Sequence, residues 1–553
     1  MNKLILISDF TISNFKNLIQ SQSKQFEIVE APLGQVYRSL HELTLELKQK
    51  KDKSLPVVFL WTMAEKISSH FQQSLHFQNV KLSSVLEELD PFIYAVRELA
   101  PLTRTLYLPE WAIDNSQCFG LSGNKYGLGP YSLLNAMNLY IAEKLADLDT
   151  VILMNSSRWL STQGSWSPKL WYMTKTPFSN SVFEKATSDF LSYENQLSGG
   201  GIKLVVLDLD DTLWGGIVGD DGWKHLRLGG HDAVGEAFVA FQRDLKALKQ
   251  RGVLLALASK NEESVALEAI DKHPEMILRR EDFVAWKINW QDKASNIKQM
   301  VQDLRLGIDS VLFIDDNPIE RSRVREFLPG IQVPEWPSNK LLYSQFFRSL
   351  NCFALQTLSL EDLQRTKSYQ EESQREQAKQ NYDSVDHWLK SLETTVEVSP
   401  LSEDNWQRVL QLFNKTNQFN LSTRRLSDSE LKAWLSEGKK QVLAVRVRDR
   451  FGDAGLTGII SLDFTDKEKA YLSDFILSCR VLGRRVEDTL LHLACTLAKS
   501  EGASSIEARL IPTAKNQPCQ EFMQQAGFQS NENNYIWDLK QTYPCPDSVN
   551  LLF

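Results

Sequence analysis

Residues 205–216 read Val-Val-Leu-Asp-Leu-Asp-Asp-Thr-Leu-Trp-Gly-Gly, three carboxylates within four positions at the end of an apolar run. Crowded carboxylates repel one another and are costly to desolvate, so the segment demands a cation. Alternation along an extended chain puts Asp208 and Asp210 on the same side, within reach of one substrate. One carboxylate can attack phosphorus and form an aspartyl-phosphate while the other protonates the leaving oxygen. A hard, oxygen-seeking ion such as Mg²⁺ would screen both the carboxylates and a phosphate.

Three later segments fit the same chemistry. Ala-Leu-Ala-Ser-Lys-Asn ends a strand in Ser259, a hydroxyl suited to phosphate oxygens, followed by Lys260 and Asn261. Phe-Ile-Asp-Asp-Asn-Pro ends another in Asp315 and Asp316, further metal ligands, followed by Asn317. Trp-Gln-Asp-Lys-Ala-Ser-Asn-Ile opens a helix with Asp292 as N-cap and Lys293 in the first turn. A lysine there would neutralise the attacking aspartate and the phosphate, and Lys287 competes for the role.

The ordered set Asp-x-Asp-x-Thr, Ser, Lys, Asp-Asp resembles the haloacid dehalogenase superfamily. The resemblance implies Asp208 as nucleophile and Asp210 as general acid and base. It implies a Mg²⁺ site from Asp208, Asp210 (through its carbonyl), Asp315 and Asp316. Thr212, Ser259, Lys260, Asn261 and Asn317 then form the expected phosphate-binding set, with Lys293 catalytic. Asp-Leu-Asp-Asp-Thr-Leu-Trp-Gly-Gly, Leu-Phe-Ile-Asp-Asp-Asn-Pro-Ile-Glu-Arg and Thr-Asn-Gln-Phe-Asn-Leu-Ser-Thr-Arg-Arg (416–425) together resemble the narrower FkbH-like, or HAD-IIIC, family. Such proteins load a glyceryl unit from 1,3-bisphosphoglycerate onto an acyl carrier protein with loss of phosphate. That implies a three-carbon unit for polyketide assembly.

From about residue 395, strand order and the segment Ser-Asp-Phe-Ile-Leu-Ser-Cys-Arg-Val-Leu-Gly-Arg-Arg resemble the GNAT acyltransferase fold. There a loop wraps a pyrophosphate ahead of a helix N-terminus. The loop here carries Arg485 where the usual pattern has a small residue, which leaves less room for coenzyme A. Arg480, Gly483, Arg484 and Arg485 are instead expected to hold the single phosphate of a carrier's phosphopantetheine arm. Cys479 stands at the strand end where the arm's thiol would arrive, and neighbouring arginines would favour a thiolate. It is either an acyl-carrying nucleophile or a small packed side chain. Near the N-terminus, Ser8-Asp9 faintly resembles the nucleophile position of SGNH-type hydrolases. The later Asp-x-x-His of that family is missing, so a docking or scaffolding module is the preferred reading.

The elements that would position these groups follow from periodicity. Residues 1–160 alternate short apolar runs with amphipathic stretches, which predicts a parallel sheet covered by helices. Residues 161–200 read as irregular and end in Ser-Gly-Gly-Gly. The expected fold is α/β and multidomain: an SGNH-like domain (1–195), a haloacid dehalogenase-type parallel sheet (200–350), a charged, Gln-rich helical linker (351–394) and a GNAT-like α+β domain (395–545). The chain has 553 residues, more than one core accommodates. A net charge of −8 argues against a general nucleic-acid binder. No apolar run approaches the roughly 20 residues that span a bilayer. Six cysteines without a CxxC pair predict free thiols, no zinc and a cytoplasmic setting. The carrier-loading reading competes with a stand-alone small-molecule phosphatase whose C-terminal domain only binds a partner, and with coenzyme A-dependent N-acylation.

Overall fold

The computed structural model describes residues 2–49, 55–114, 119–161, 164–353, 366–367, 371, 375, 378, 382–531 and 533–553. Cys118 and most of the expected linker helix lie outside the described residues. The chain forms two compact units, 1–193 with 427–433, and 194–426 with 434–553.

The first unit is built on five parallel strands, β1 (Asn2–Ser8), β2 (Phe26–Glu30), β3 (Val57–Trp61), β4 (Thr105–Pro109) and β5 (Val151–Met154), in the order β2-β1-β3-β4-β5. β3 and β4 are buried along their whole length, as continuous apolar runs in a sheet covered on both faces must be. Two expectations fail locally. Residues 84–100 read as one helix, but Pro91 lacks the N–H that would continue it, and the chain forms Leu82–Glu87 and then Asp90–Leu99. The stretch 161–200 is also more ordered than its composition suggested, with helices Pro168–Thr174 and Asn180–Leu197. In the latter, Val182, Phe183, Ala186 and Phe190 are buried at helical spacing, a signal diluted by Ser, Thr and Asn. Phe190 packs at 5.5, 5.7 and 5.1 Å from the rings of Phe26, Phe59 and Tyr107.

The second unit contains two sheets. Four parallel strands, β6 (Leu204–Leu207), β7 (Leu254–Ser259), β8 (Phe283–Ile288) and β9 (Val311–Ile314), run in the order β8-β7-β6-β9. Alternate strand residues feed separate cores on opposite faces. Val205, Leu207, Leu255 and Leu257 pack with helix Ala233–Gln250, while Val206, Ala256 and Phe313 pack with helices Lys293–Asp303 and Pro318–Phe327. Such a doubly wound sheet puts its loops, and its chemistry, at the carboxyl ends of the strands.

The other sheet contains β10 (Thr394–Pro400), the two-residue β11 (Phe419–Asn420), β12 (Lys440–Asp449), β13 (Gly452–Asp463), β14 (Lys469–Leu477), β15 (Ser505–Arg509), β16 (Gln529–Asn531), β17 (Asn534–Asp538) and β18 (Val549–Leu552). β12, β13 and β14 are antiparallel neighbours, and helix Val486–Ser500 crosses over to β15, parallel to β14. β18 pairs in parallel with β10, so the sheet extends past the expected boundary at 545. The chain is thus a multidomain mixed α/β protein, and among the described residues no helix is long and apolar enough to cross a membrane.

Asp9, just after β1, illustrates how burial and charge conflict. Both carboxylate oxygens lie within 3.2 Å of the Met63 N–H, yet burial pushes its pKa up to about 7. Folding therefore favours the protonated acid, and that stabilisation is complete below the unfolded pKa and lost as pH rises through 7. Asp9→Asn should raise stability at pH 8 by on the order of 2 kcal/mol and change it little at pH 4, measured by thermal melting of the full chain.

Candidate active site

Asp208 follows β6 directly, its N–H donating to Ile314 O at 3.0 Å. The chain then folds back: the amides of Thr212 and Leu213 both donate to Leu209 O, and Asp211 adopts a left-handed φ of 53°. This tight turn aims Asp208 and Asp210 toward the ends of β7 and β9. Asp210 is pinned on both oxygens. Trp214 Nε1 (2.8 Å) and the Val218 amide (3.1 Å) donate to Oδ1, and Asn261 Nδ2 (2.7 Å) donates to Oδ2. Burial raises the Asp210 pKa, against the pull of those donors, and favours the protonated form that a general acid needs.

Asp208, Asp315 and Asp316 each turn one carboxylate oxygen into a group lying within 4.8 Å of one another. Lys293 is the cation that this crowding demands. Asp292 caps its helix by accepting from the Ser295 amide at 3.0 Å, as read from the sequence. Lys293 Nζ reaches Asp208 Oδ2 at 2.9 Å and Asp315 Oδ2 at 2.7 Å, with the residue only 4% exposed. Burial works against its charge, but the two carboxylates outweigh it and push its pKa up. Burial and the neighbouring Asp208 charge raise the Asp315 pKa, and Lys293 pulls it back. Lys287, the competing lysine, sits within β8 in register with Ala258, so the structure brings Lys293 to the cluster.

One atom of the cluster stands out. Asp208 Oδ1 is buried without a hydrogen-bond partner, which a buried carboxylate oxygen rarely tolerates. An all-oxygen donor set with such an orphan fits a hard divalent cation. Asp210, grouped with these as a ligand by its sequence motif, has its side chain engaged elsewhere, which leaves its carbonyl for that role.

The remaining expected residues divide. Ser259 is the buried last residue of β7, and Thr212 Oγ1 meets the Asp316 amide at 3.2 Å. Asn261 grips Asp210 rather than standing free for phosphate. Lys260 turns to Glu320, in the first turn of helix Pro318–Phe327, at 2.6 Å. Asn317 caps helix Pro318–Phe327 through the Ile319 amide at 2.9 Å, while its own amide holds Asp315. Sequence reasoning missed Arg321, which donates to the carbonyls of Asp315 and Asp316, and Lys340, which reaches Asp211 and Asp316. Arg321 closes the Leu-Phe-Ile-Asp-Asp-Asn-Pro-Ile-Glu-Arg segment but was given no role of its own, and Lys340 lies outside every motif; both act through fold-dependent contacts.

Around Cys479 the geometry differs from expectation. Cys479 opens a short turn after β14 and is half-buried. Arg484 is 3% exposed and committed to Asp449 at 2.8 Å and to the Arg480 carbonyl, because a buried guanidinium must be paired. The Gly483 amide donates to Glu487 Oε1 at 2.8 Å. Arg485 is the exposed arginine of the pair, with its guanidinium 3.2 Å from Asp488. A further segment intervenes: Ile476 and Leu477, at the end of β14, pair with β13 on one edge and with Asn420 and Phe419 of β11 on the other. β15 pairs only with residues 469–472 of β14. The end of β14 therefore has no free edge along which an extended arm could lie. At the first strand, Ser8 is buried and its Oγ accepts from the Phe10 amide at 3.2 Å.

No protein-family model matches the chain, and no curated protein matches it. Among solved structures, it is similar to the N-terminal part of the Bacteroides fragilis protein BF1531, which contains a phosphatase domain and was crystallised with Mg. That match has a TM-score of 0.57 and 27% identity, over 64% of this chain and 94% of the other. A GNAT-family acetyltransferase from Elizabethkingia anophelis with acetyl-CoA bound aligns with 25% of this chain and 78% of its own, at 13% identity and a TM-score of 0.19. A GNAT-family acetyltransferase from Staphylococcus aureus aligns with 26% and 99%, at 12% identity and a TM-score of 0.21.

Lys293→Met would leave two buried carboxylates without their cation. The variant should lose about 3–5 kcal/mol at pH 8 by chemical denaturation. The loss should shrink toward pH 5, because carboxylates with raised pKa take up protons there and relieve the repulsion. Adding Asp315→Asn should recover part of the stability at pH 8.

Proposed function

We propose that this chain is a Mg²⁺-dependent phosphohydrolase of haloacid dehalogenase type, acting within the loading of a glyceryl unit from 1,3-bisphosphoglycerate onto an acyl carrier protein. The observation that carries the first half is the orphaned Asp208 Oδ1 beside Asp315 and Asp316, with Lys293 bridging behind them. The likeness to a Mg-bound phosphatase domain supports it. Asp208, Asp315, Asp316 and the Asp210 carbonyl would hold Mg²⁺, which supplies charge neutralisation for the phosphoryl oxygens.

This chain's residues divide the remaining work. Lys293 Nζ, 2.9 Å from Asp208 Oδ2, orients the carboxylate that attacks phosphorus as the bond to the leaving oxygen breaks. Asp210, held by Trp214, Val218 and Asn261, gives that oxygen its proton. The same group then takes a proton from the water that hydrolyses the aspartyl-phosphate. Asp208→Asn should lower phosphate release from a phosphomonoester at least ~10³-fold, and Asp210→Asn should slow leaving-group departure. Chelation should stop release without unfolding, and Mg²⁺ should restore it better than Ca²⁺. Wild-type-like turnover in Asp208→Asn would overturn the assignment.

The carrier-loading half rests on the FkbH-like motifs, above all residues 416–425, and on Cys479 lying beside the Gly483–Arg485 loop. In this reading a Cys479 thiolate attacks the acyl-phosphate carbonyl, the acyl C–O bond breaks, and phosphate departs with the electron pair. The thioester then exchanges with the carrier thiol, a nearly isoenergetic step that needs no further energy input. Cys479→Ala should stop carrier loading, read by intact mass of the carrier, while leaving phosphomonoester hydrolysis intact. Normal loading by Cys479→Ala would return Cys479 to packing. Transfer would then be direct or use another thiol.

A further inference from the structure

We propose that Lys340 is a positioning residue that holds Asp316 and the Asp210–Asp211 turn in the arrangement from which the carboxylates bind their cation. The proposal rests on the Mg²⁺-dependent reading above. Lys340 lies in Trp-Pro-Ser-Asn-Lys-Leu-Leu-Tyr (336–343), downstream of the phosphatase-type motif residues and outside every motif. Its place is set locally: Asn339 caps the short turn by accepting from the Leu341 amide at 3.1 Å.

From there its ammonium makes three contacts with the site. Nζ donates to the Asp211 carbonyl at 2.8 Å, lies 3.3 Å from Asp211 Oδ1, and lies 3.5 Å from Asp316 Oδ2. The Tyr343 hydroxyl donates to the same Asp211 carbonyl at 3.1 Å. Tyr343 is itself fixed, fully buried among the rings of Phe238, Phe241 and Trp336 at 5.8, 6.0 and 5.0 Å. Two donors on one carbonyl thus secure a non-glycine residue in the left-handed region, which needs such over-determination to persist. The turn they secure sets the Asp210 carbonyl.

Asp316 is held from both sides. Thr212 Oγ1 lies 3.5 Å from its Oδ1, and Lys340 faces its Oδ2. Residues that orient metal-binding carboxylates in this way are worth about 10–100-fold in metal affinity. A rival role predicts the opposite sign. If Lys340 merely neutralised Asp316 as a stand-in cation, it would compete with the metal, and its removal would tighten binding.

Calorimetric titration of the full-length protein with Mg²⁺, and separately with Mn²⁺, decides between them. Lys340→Met should weaken binding of both ions about 10–100-fold. The Mg²⁺ concentration for half-maximal phosphate release should rise in parallel, with turnover at saturating Mg²⁺ within a few-fold of wild type. Lys340→Arg should recover most of the affinity, which a loss of generic packing would not allow. Should Lys340→Met fail to melt cooperatively, the comparison of Lys340→Gln with Lys340→Arg carries the same contrast. Unchanged or tighter metal binding in the variant, with wild type binding normally, overturns the role of Lys340 alone. If wild type takes up neither ion, the Mg²⁺-dependent reading falls and the positioning role falls with it.

Discussion

A single ammonium, that of Lys293, stands between two carboxylates that burial would otherwise drive apart. Asp208 comes from the end of β6, Asp315 from the end of β9, and Lys293 from the first turn of a helix after β8. Removing Lys293 leaves both buried carboxylates uncompensated, so the two strand ends can meet only where the helix carrying Lys293 is in place. The surrounding hydrogen bonds follow from that constraint. Arg321 holds the carbonyls of Asp315 and Asp316, Asn317 donates its amide to Asp315, and Asp208 is tied to β9 through its own amide. The apolar sheet beneath supplies rigidity, with β6, β7 and β9 buried along their length.

What the sequence made legible was whatever acts locally. Asp208 and Asp210 share a turn, Asp292 caps the helix that begins at Lys293, and Asp315-Asp316 end a strand. Each is a short-range pattern with its own chemistry. The failures came where long-range contacts redirect a side chain. Lys260 could not be seen to meet Glu320, nor Arg484 to meet Asp449, because those partners lie far away in sequence. Lys340 was invisible for the same reason. Helix Asn180–Leu197 was missed on different grounds, since its apolar stripe is real but interrupted by polar residues of weak helix propensity.

The arginines around Cys479 show how charge read from sequence differs from charge available to a ligand. Arg484 and Arg375 both bind Asp449, whose carboxylate is fully buried and also accepts from the amides of Phe451 and Gly452. Arg424 is likewise engaged by Asp474, together with Ser422. These guanidiniums serve the architecture of the β12–β13 hairpin and of the 416–425 segment. The exposed positive charge of the loop is correspondingly smaller than its three arginines suggest.

The short strand β11 has a consequence for exchange between strands. Two residues contribute few backbone bonds, each of net value about 1 kcal/mol, so the ladder itself holds β11 weakly. Its retention comes from side chains: Phe419 is 1% exposed and Leu421 is fully buried, and such burial is worth about 1.5–3 kcal/mol apiece. A strand that displaced β11 would regain the backbone bonds at no net cost but would still have to supply two apolar anchors two residues apart. The end of β14 thus keeps its neighbour through apolar side chains rather than through backbone bonds.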